Sequence, residues 1–123
     1  MNFRDYYFKI ESLLKEFSLV THFSVDFEEI EDYIGYIKGK LELMNGSTIF
    51  FFEFIEIKNN VPVLVKYKYQ WQSPDGDLLK RWDNAPHHKE LNSFPDHVHD
   101  CNGVYSSPTM SLESILDYCL NIK

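Results

Sequence analysis

The chain is poor in the features that mark secreted, membrane-spanning and zinc-binding proteins. Its 123 residues include two cysteines, Cys101 and Cys119, and their spacing matches no zinc-binding pattern. No apolar run approaches the roughly 20 residues that a membrane helix needs. The N-terminus lacks the basic region and small-residue cleavage site of a signal peptide. These absences predict a cytoplasmic protein with two free thiols and no membrane contact.

The chain also lacks an excess of positive charge. Its 19 acidic and 12 basic residues give a net charge of −7, which argues against broad, sequence-independent binding to nucleic-acid phosphates. The charge is unevenly spread, because residues 62–99 hold equal numbers of acidic and basic side chains while the remainder is strongly acidic. The acidic charge of the rest of the chain is explained either by ordinary solubility or by a surface that binds a basic partner.

What the chain does have is the composition of one folded domain. Its residues are 44% apolar and 16% aromatic, which is enough to bury a core, and the length predicts a single domain over residues 1–123. Helical spacing of apolar residues at both ends flanks a long region of two-residue alternation. We therefore expect an α+β fold: about five mostly antiparallel strands in one sheet, with N-terminal and C-terminal helices packed on one face.

Three details of this pattern bear on the site. The acidic run from Glu28 to Asp32 predicts a turn, and residues 85–108, which contain three prolines, predict a long irregular loop. A loop of that length in a compact domain is commonly functional or mobile. Glu53 stands in an apolar strand, where a carboxylate must be paired, hydrogen-bonded or protonated. It is either the partner of a neighbouring Lys or Arg in a salt bridge, or a functional group that acts as a general base or orients a histidine.

Residues 67–99 hold the side chains best suited to chemistry. Four of the five histidines lie there, and imidazole changes charge near neutral pH, so the cluster suits proton transfer or metal binding. The candidate catalytic residues are His87, His88, His97, His99, Asp83 and Glu53. The candidate substrate-binding residues are Arg81, Lys80, Trp82, Trp71, Tyr69 and Asn84.

Cleavage of RNA is one use of such a cluster. Attack of a 2′-hydroxyl on the adjacent phosphate needs a base, an acid and a cation, and two imidazoles can fill the proton roles. Arg81 or Lys80 would neutralise the phosphate, and nearby aromatic rings would stack an unpaired base. This chemistry requires no metal and no other cofactor.

Two other uses stay open. The pair His97-x-His99 can chelate a metal, with His87, His88, Asp83 and Glu53 to complete the shell, although no established ligand pattern is present. Alternatively, the histidines and Asp83 form a hydrogen-bonded network that pins the long loop.

The same segment resembles the TumE-type toxin family. The family pattern is a Tyr-x-Tyr-x-Trp-Gln strand, a turn with Gly, an Arg-(Trp/Tyr)-Asp-Asn-Ala-Pro-His-His block and Phe-Pro-x-His-x-His. Two positions depart from it, because Gln70 and Asp96 stand where family members often have His, so any shared chemistry does not depend on those positions. The matching residues are Tyr67, Tyr69, Trp71, Gln72, Gly76, Arg81, Trp82, Asp83, Asn84, Ala85, Pro86, His87, His88, Phe94, Pro95, His97 and His99.

The resemblance implies the toxin half of a bacterial or archaeal toxin–antitoxin pair, held in check by an antitoxin that is typically a helix-turn-helix protein encoded beside it. Together with the histidines it leads us to expect a metal-independent endoribonuclease that acts on RNA. The competing class is a non-enzymatic binding module that inhibits a cellular target by occupying it. We expect the antitoxin to cover residues 80–99, because an acidic segment would pair with Arg81 and Lys80 there.

Overall fold

The computed structural model describes residues 1–121 and contains two helices and seven strands. The α+β prediction is confirmed, as are helices at both ends of the strand region. In chain order the elements are α1 (Phe3–Glu16), β1 (Val20–Glu31), β2 (Ile34–Leu43), β3 (Thr48–Lys58), β4 (Val61–Gln72), β5 (Leu78–Asp83), β6 (His97–Asp100), β7 (Gly103–Ser106) and α2 (Leu112–Asn121).

The strands form one antiparallel sheet in which each strand pairs with its neighbours in sequence, from β1 to β7. The expected number of about five strands is too low, because β6 and β7 lie in the stretch that its prolines had marked as irregular. Each is four residues long, too short to show a clear alternation. The predicted turn from Glu28 to Asp32 is also wrong, since β1 runs on to Glu31 and Glu29 accepts a 2.7 Å ion-pair contact from Arg4.

Both helices pack on the same face of the sheet, as predicted. Helix α1 begins with a capping box between Asn2 and Asp5, and it approaches β2 so closely that a Cβ at Gly35 would lie 2.7 Å from the ring of Phe3. Helix α2 sets the ring of Tyr118 edge-on against two tryptophans of β4 and β5. We call this side of the sheet the helix face, and it holds the core.

The other side, here called the open face, carries two parallel rows of side chains across the strands. Residues directly opposite each other in a sheet share a face, so the register defines each row. The first row is Asp26, Lys38, Phe52, Lys68, Asp83 and His97, and the second is Ser24, Lys40, Phe50, Gln70, Arg81 and His99. The loop after β5 folds over the end of these rows and brings the ring of His88 within 5.4 Å of the His97 ring.

Candidate functional site

The site occupies the open face at strands β5 and β6. Antiparallel pairing places Asp83 opposite His97 and Arg81 opposite His99. Since His97 and His99 are two residues apart on one strand, their rings share a face, with centroids 4.7 Å apart. The predicted spacing therefore does bring these four side chains together on a rigid part of the fold.

His97 is the fixed member of the group. Its side chain is 2% exposed, and Nε2 lies 2.9 Å from Oδ1 of Asp83. Its Nδ1 lies 2.8 Å from the carbonyl oxygen of Pro95. A carbonyl oxygen only accepts, so Nδ1 carries a proton and donates it. Asp83 Oδ1 also accepts the backbone N–H of Ala85 at 3.0 Å. Sequence reasoning named Pro95 in the family pattern but did not identify its carbonyl as the partner of His97.

His99 is the member that can accept a proton from outside. Its side chain is 17% exposed, and Nε2 lies 3.9 Å from Asp83 Oδ2. Burial lowers the pKa of His99 below its ordinary value, and the charge of Arg81 lowers it further, while Asp83 opposes the shift. His99 is therefore neutral at neutral pH, with the lone pair that a general base needs.

His88 completes the cluster from the loop. Its backbone has φ of 59°, in the left-handed region, and its ring lies 5.4 Å from that of His97 and 5.7 Å from that of His99. Glu90 Oε1 lies 3.3 Å from its Nδ1. His87 is exposed and contacts the cluster only through His88, at 6.4 Å between ring centroids. His88 is thus placed to share in proton transfer, whereas His87 lies at the margin.

Glu53 does not belong to this site. It lies on the helix face, fully buried, where its two oxygens accept the hydroxyls of Tyr6 and Tyr69 at 2.6 Å each. Burial raises the pKa of Glu53, while these hydrogen bonds and that from the backbone of Leu112 oppose the rise. The predictions of a histidine-orienting group and of a Lys or Arg ion pair are both corrected: two tyrosines satisfy the carboxylate.

The aromatic residues expected to stack a base also lie on the helix face. Tyr69, Trp71 and Trp82 are 0%, 6% and 3% exposed. Trp71 donates its indole N–H to Ser47 Oγ at 2.9 Å. Their rings therefore build the core and offer no face to a ligand.

Two further substrate-binding candidates have structural partners. Lys80 alternates with Arg81 along β5, so it points to the helix face, where Nζ lies 5.7 Å from the centre of the Tyr118 ring. Asn84 bridges to β4: its Oδ1 accepts the N–H of Tyr67 at 2.9 Å, and its Nδ2 donates to the carbonyl of Val65 at 3.2 Å. Of the six predicted substrate-binding residues, Arg81 alone lies with the histidines.

A metal ion also fits part of this geometry. Donor atoms of Asp83, His97 and His99 all lie within 4.8 Å of one another, and a nitrogen and oxygen donor set suits divalent transition metals. The Pro95 carbonyl holds His97 as such carbonyls commonly hold metal-binding histidines. Against this, Arg81 Nε lies 3.5 Å from Asp83 Oδ2, so a positive charge already faces the carboxylate that the metal would use.

Comparison with known proteins decides the family. The family model described as Toxin TumE matches residues 10–122, which includes every residue of the cluster. The chain belongs to the TumE toxin family. Membership implies an antitoxin partner. Neither the search of curated proteins nor that of solved structures found a match. Within residues 1–121, no helix combines the length and the apolar character needed to cross a membrane.

Proposed function

We propose that this TumE protein is the toxin of a toxin–antitoxin pair and acts as a metal-independent endoribonuclease. The observation that carries the proposal is a part-exposed His99 that lies opposite Arg81 and beside a buried His97–Asp83 pair, where burial and the charge of Arg81 lower its pKa. A proton acceptor beside a fixed cation is what attack of a hydroxyl on a phosphate requires.

In the proposed reaction, His99 takes the proton of a 2′-hydroxyl as its oxygen attacks the adjacent phosphorus. The bond to the 5′-oxygen breaks, and His88 supplies the proton that this leaving oxygen needs. The products are a 2′,3′-cyclic phosphate and a 5′-hydroxyl. Arg81 balances the charge that grows on the phosphate oxygens. The His97–Asp83 pair is a positioning unit, since His97 is too buried to reach substrate.

The chemistry of the cut ends tests this mechanism. Purified protein, incubated with single-stranded RNA in the presence of a chelator, should leave 2′,3′-cyclic phosphate and 5′-hydroxyl ends. Ends that carry 5′-phosphate would contradict the proposed attack by the 2′-hydroxyl. Uncut RNA across several substrates, with ribosomes also supplied, would favour the non-enzymatic binding module instead.

A metal-dependent hydrolase is the second candidate, favoured by the convergence of Asp83, His97 and His99. In that case the metal would supply a bound hydroxide as nucleophile, and these three residues would hold it. Elemental analysis of protein purified without chelator separates the two candidates. Stoichiometric zinc or manganese, whose removal abolishes cleavage, would support the metal and overturn the metal-independent mechanism.

A further inference from the structure

A shallow groove of about 520 Å³ crosses the open face beside the histidine cluster. It contains aromatic rings where an open sheet face would ordinarily be polar. Phe50 is 41% exposed although it is paired on both sides within the sheet, and Phe52 stacks on Tyr36 with ring centroids 5.7 Å apart. An exposed ring beside two half-buried ones makes an accessible apolar patch, and such patches mark interaction surfaces. The residues that line it include Asp26, Lys38, Lys40, Phe50, Phe52 and Lys68.

The charges of the groove favour an anionic ligand. Lys68 lies between Phe52 and the histidine cluster in the first row, and Lys40 Nζ lies 5.8 Å from the centre of the Phe50 ring. Three acidic side chains of this face lie nearby: Asp26, opposite Lys38, Glu42, whose carboxylate lies 3.9 Å from Lys40 Nζ, and Glu28, which accepts the Tyr36 hydroxyl at 2.6 Å. Asp26 is the one that lines the groove, against Lys38, Lys40 and Lys68. In a chain of net charge −7, this concentration of lysines on one face matches a polyanion.

We propose that the groove binds single-stranded RNA and guides it to His99. The exposed rings would stack unpaired bases, and the lysines would neutralise the phosphates between them. This inference rests on the proposed ribonuclease function, whose substrate it specifies. The second row joins Phe50 to His99 through Gln70 and Arg81, and three strand spacings make this distance about 14 Å. A strand bound in the groove therefore needs no movement of the fold to reach the cluster.

The geometry favours a single strand over a duplex. The rings lie on the face of a sheet, where they can meet the flat face of a base only if that base is unpaired. A duplex would offer its phosphates to the lysines and leave the rings without a partner. The predicted preference is thus for unpaired RNA.

Binding measured without cleavage tests the groove. Fluorescence anisotropy with a fluorescein-labelled, mixed-sequence single-stranded RNA, on the His99→Ala background, gives the affinity. Phe50→Ala should weaken RNA binding at least about five-fold. Phe50→Tyr keeps an aromatic ring and should bind RNA as tightly as the protein with Phe50. Lys68→Gln should reduce the salt slope of log K by about 0.7. The matched controls are Phe8→Ala, which removes a ring that is 55% exposed on α1, and Lys9→Gln on the same helix.

The outcomes separate the groove from the reaction. Weakening by the groove variants and not by the helix variants supports the groove. Equal effects of both sets, duplex bound as tightly as single strand, or no binding of single strand at all overturn it. Loss of antitoxin binding in Phe50→Ala with RNA affinity unchanged also overturns it and makes the groove a protein interface. If RNA binds tightly and the groove variants weaken it, but the wild type does not cleave, the ribonuclease proposal fails and the groove proposal stands. If the wild type cleaves and the groove variants cleave equally well, the groove proposal fails and the ribonuclease proposal stands.

Discussion

Nε2 of His97 lies 2.9 Å from Oδ1 of Asp83, and both side chains are almost fully enclosed. The Pro95 carbonyl fixes the other nitrogen of the same ring. These two contacts, on opposite sides of the ring, hold the His97 imidazole in one orientation. The ring of His99 packs against it. The pair thus links the fold to the proposed chemistry, because the β5–β6 register sets where the catalytic rings stand.

We predict that Asp83→Asn lowers kcat for RNA cleavage about 100-fold, as small displacements of reacting groups do, with KM little changed. The substitution keeps the shape of the side chain and removes its charge. It should also lower the pKa of His99, because Asp83 is the group that raises it. NMR titration of the His99 ring measures this directly. An unchanged His99 titration would show that Asp83 acts through folding alone.

Arg81→Gln should move the pKa of His99 upward. Burial is the largest cause of its lowered pKa and stays in place, but the charge of Arg81 is the next cause and is lost. On the acidic side, cleavage by the wild type should fall as pH drops through a His99 pKa below 6.5, and that acidic limb should shift to higher pH in Arg81→Gln. Rate profiles at saturating substrate provide the comparison. An identical acidic limb in both proteins would remove His99 as the base.

The lowered pKa of His99 also makes the stability of the protein depend on pH. The unfolded chain binds a proton at His99 near the ordinary value of 6.5, whereas the folded chain binds it at lower pH. The unfolded state therefore holds more protons between these two values, and the free energy of unfolding falls as pH drops below 6.5. His99→Gln should lose less stability over that range. Denaturant unfolding at pH 7.5 and pH 5 makes the comparison, and equal losses in both proteins would count against the lowered pKa.

Tyr6→Phe should destabilise the protein without disturbing the site. It removes one of the two tyrosine hydroxyls that donate to Glu53, and a hydrogen bond to a charged group contributes about 1.5–3 kcal/mol. Tyr7→Phe is the matched control, since its hydroxyl makes a longer, 3.3 Å contact with the part-exposed Glu11 of the same helix, and its effect should be smaller. Thermal unfolding and cleavage per folded molecule are the two readouts. If Tyr6→Phe folds fully but no longer cleaves RNA, Glu53 contributes to the functional site after all.

The antitoxin should cover the site directly. Co-expression with the adjacent reading frame should rescue growth, and hydrogen exchange on the complex should show protection within residues 80–99. An acidic segment there would face Arg81 and the lysines of the groove. Protection confined to α1 and residues 26–32 would mean that the antitoxin acts from a distance. No growth defect on expression and no partner encoded nearby would leave this protein with the fold of the family and without its toxin role.

Sequence patterns predicted the helices, the long strands and the residues of the cluster, because each rests on local periodicity or on residue type. Alternation along β5 puts Lys80 and Trp82 on the opposite face from Arg81 and Asp83, although residue type alone had grouped Lys80 and Trp82 with Arg81 as candidates for substrate binding. Sequence patterns could not say which face of β3 carries Glu53, since that strand is apolar on both sides. Strands β6 and β7 were missed because each is four residues long, too short for alternation to show, and because each is held by pairing with a neighbouring strand.

Cleavage by His99→Ala, compared with wild type and His87→Ala, tests the central claim most directly. All three proteins are incubated with single-stranded RNA and a chelator, after thermal unfolding has shown that they fold alike. Wild type and His87→Ala should cleave at similar rates, because His87 contacts the cluster only at its margin. His99→Ala should be slower by about 100-fold or more. Equal cleavage by His99→Ala, or uncut RNA with the wild type, would contradict the account.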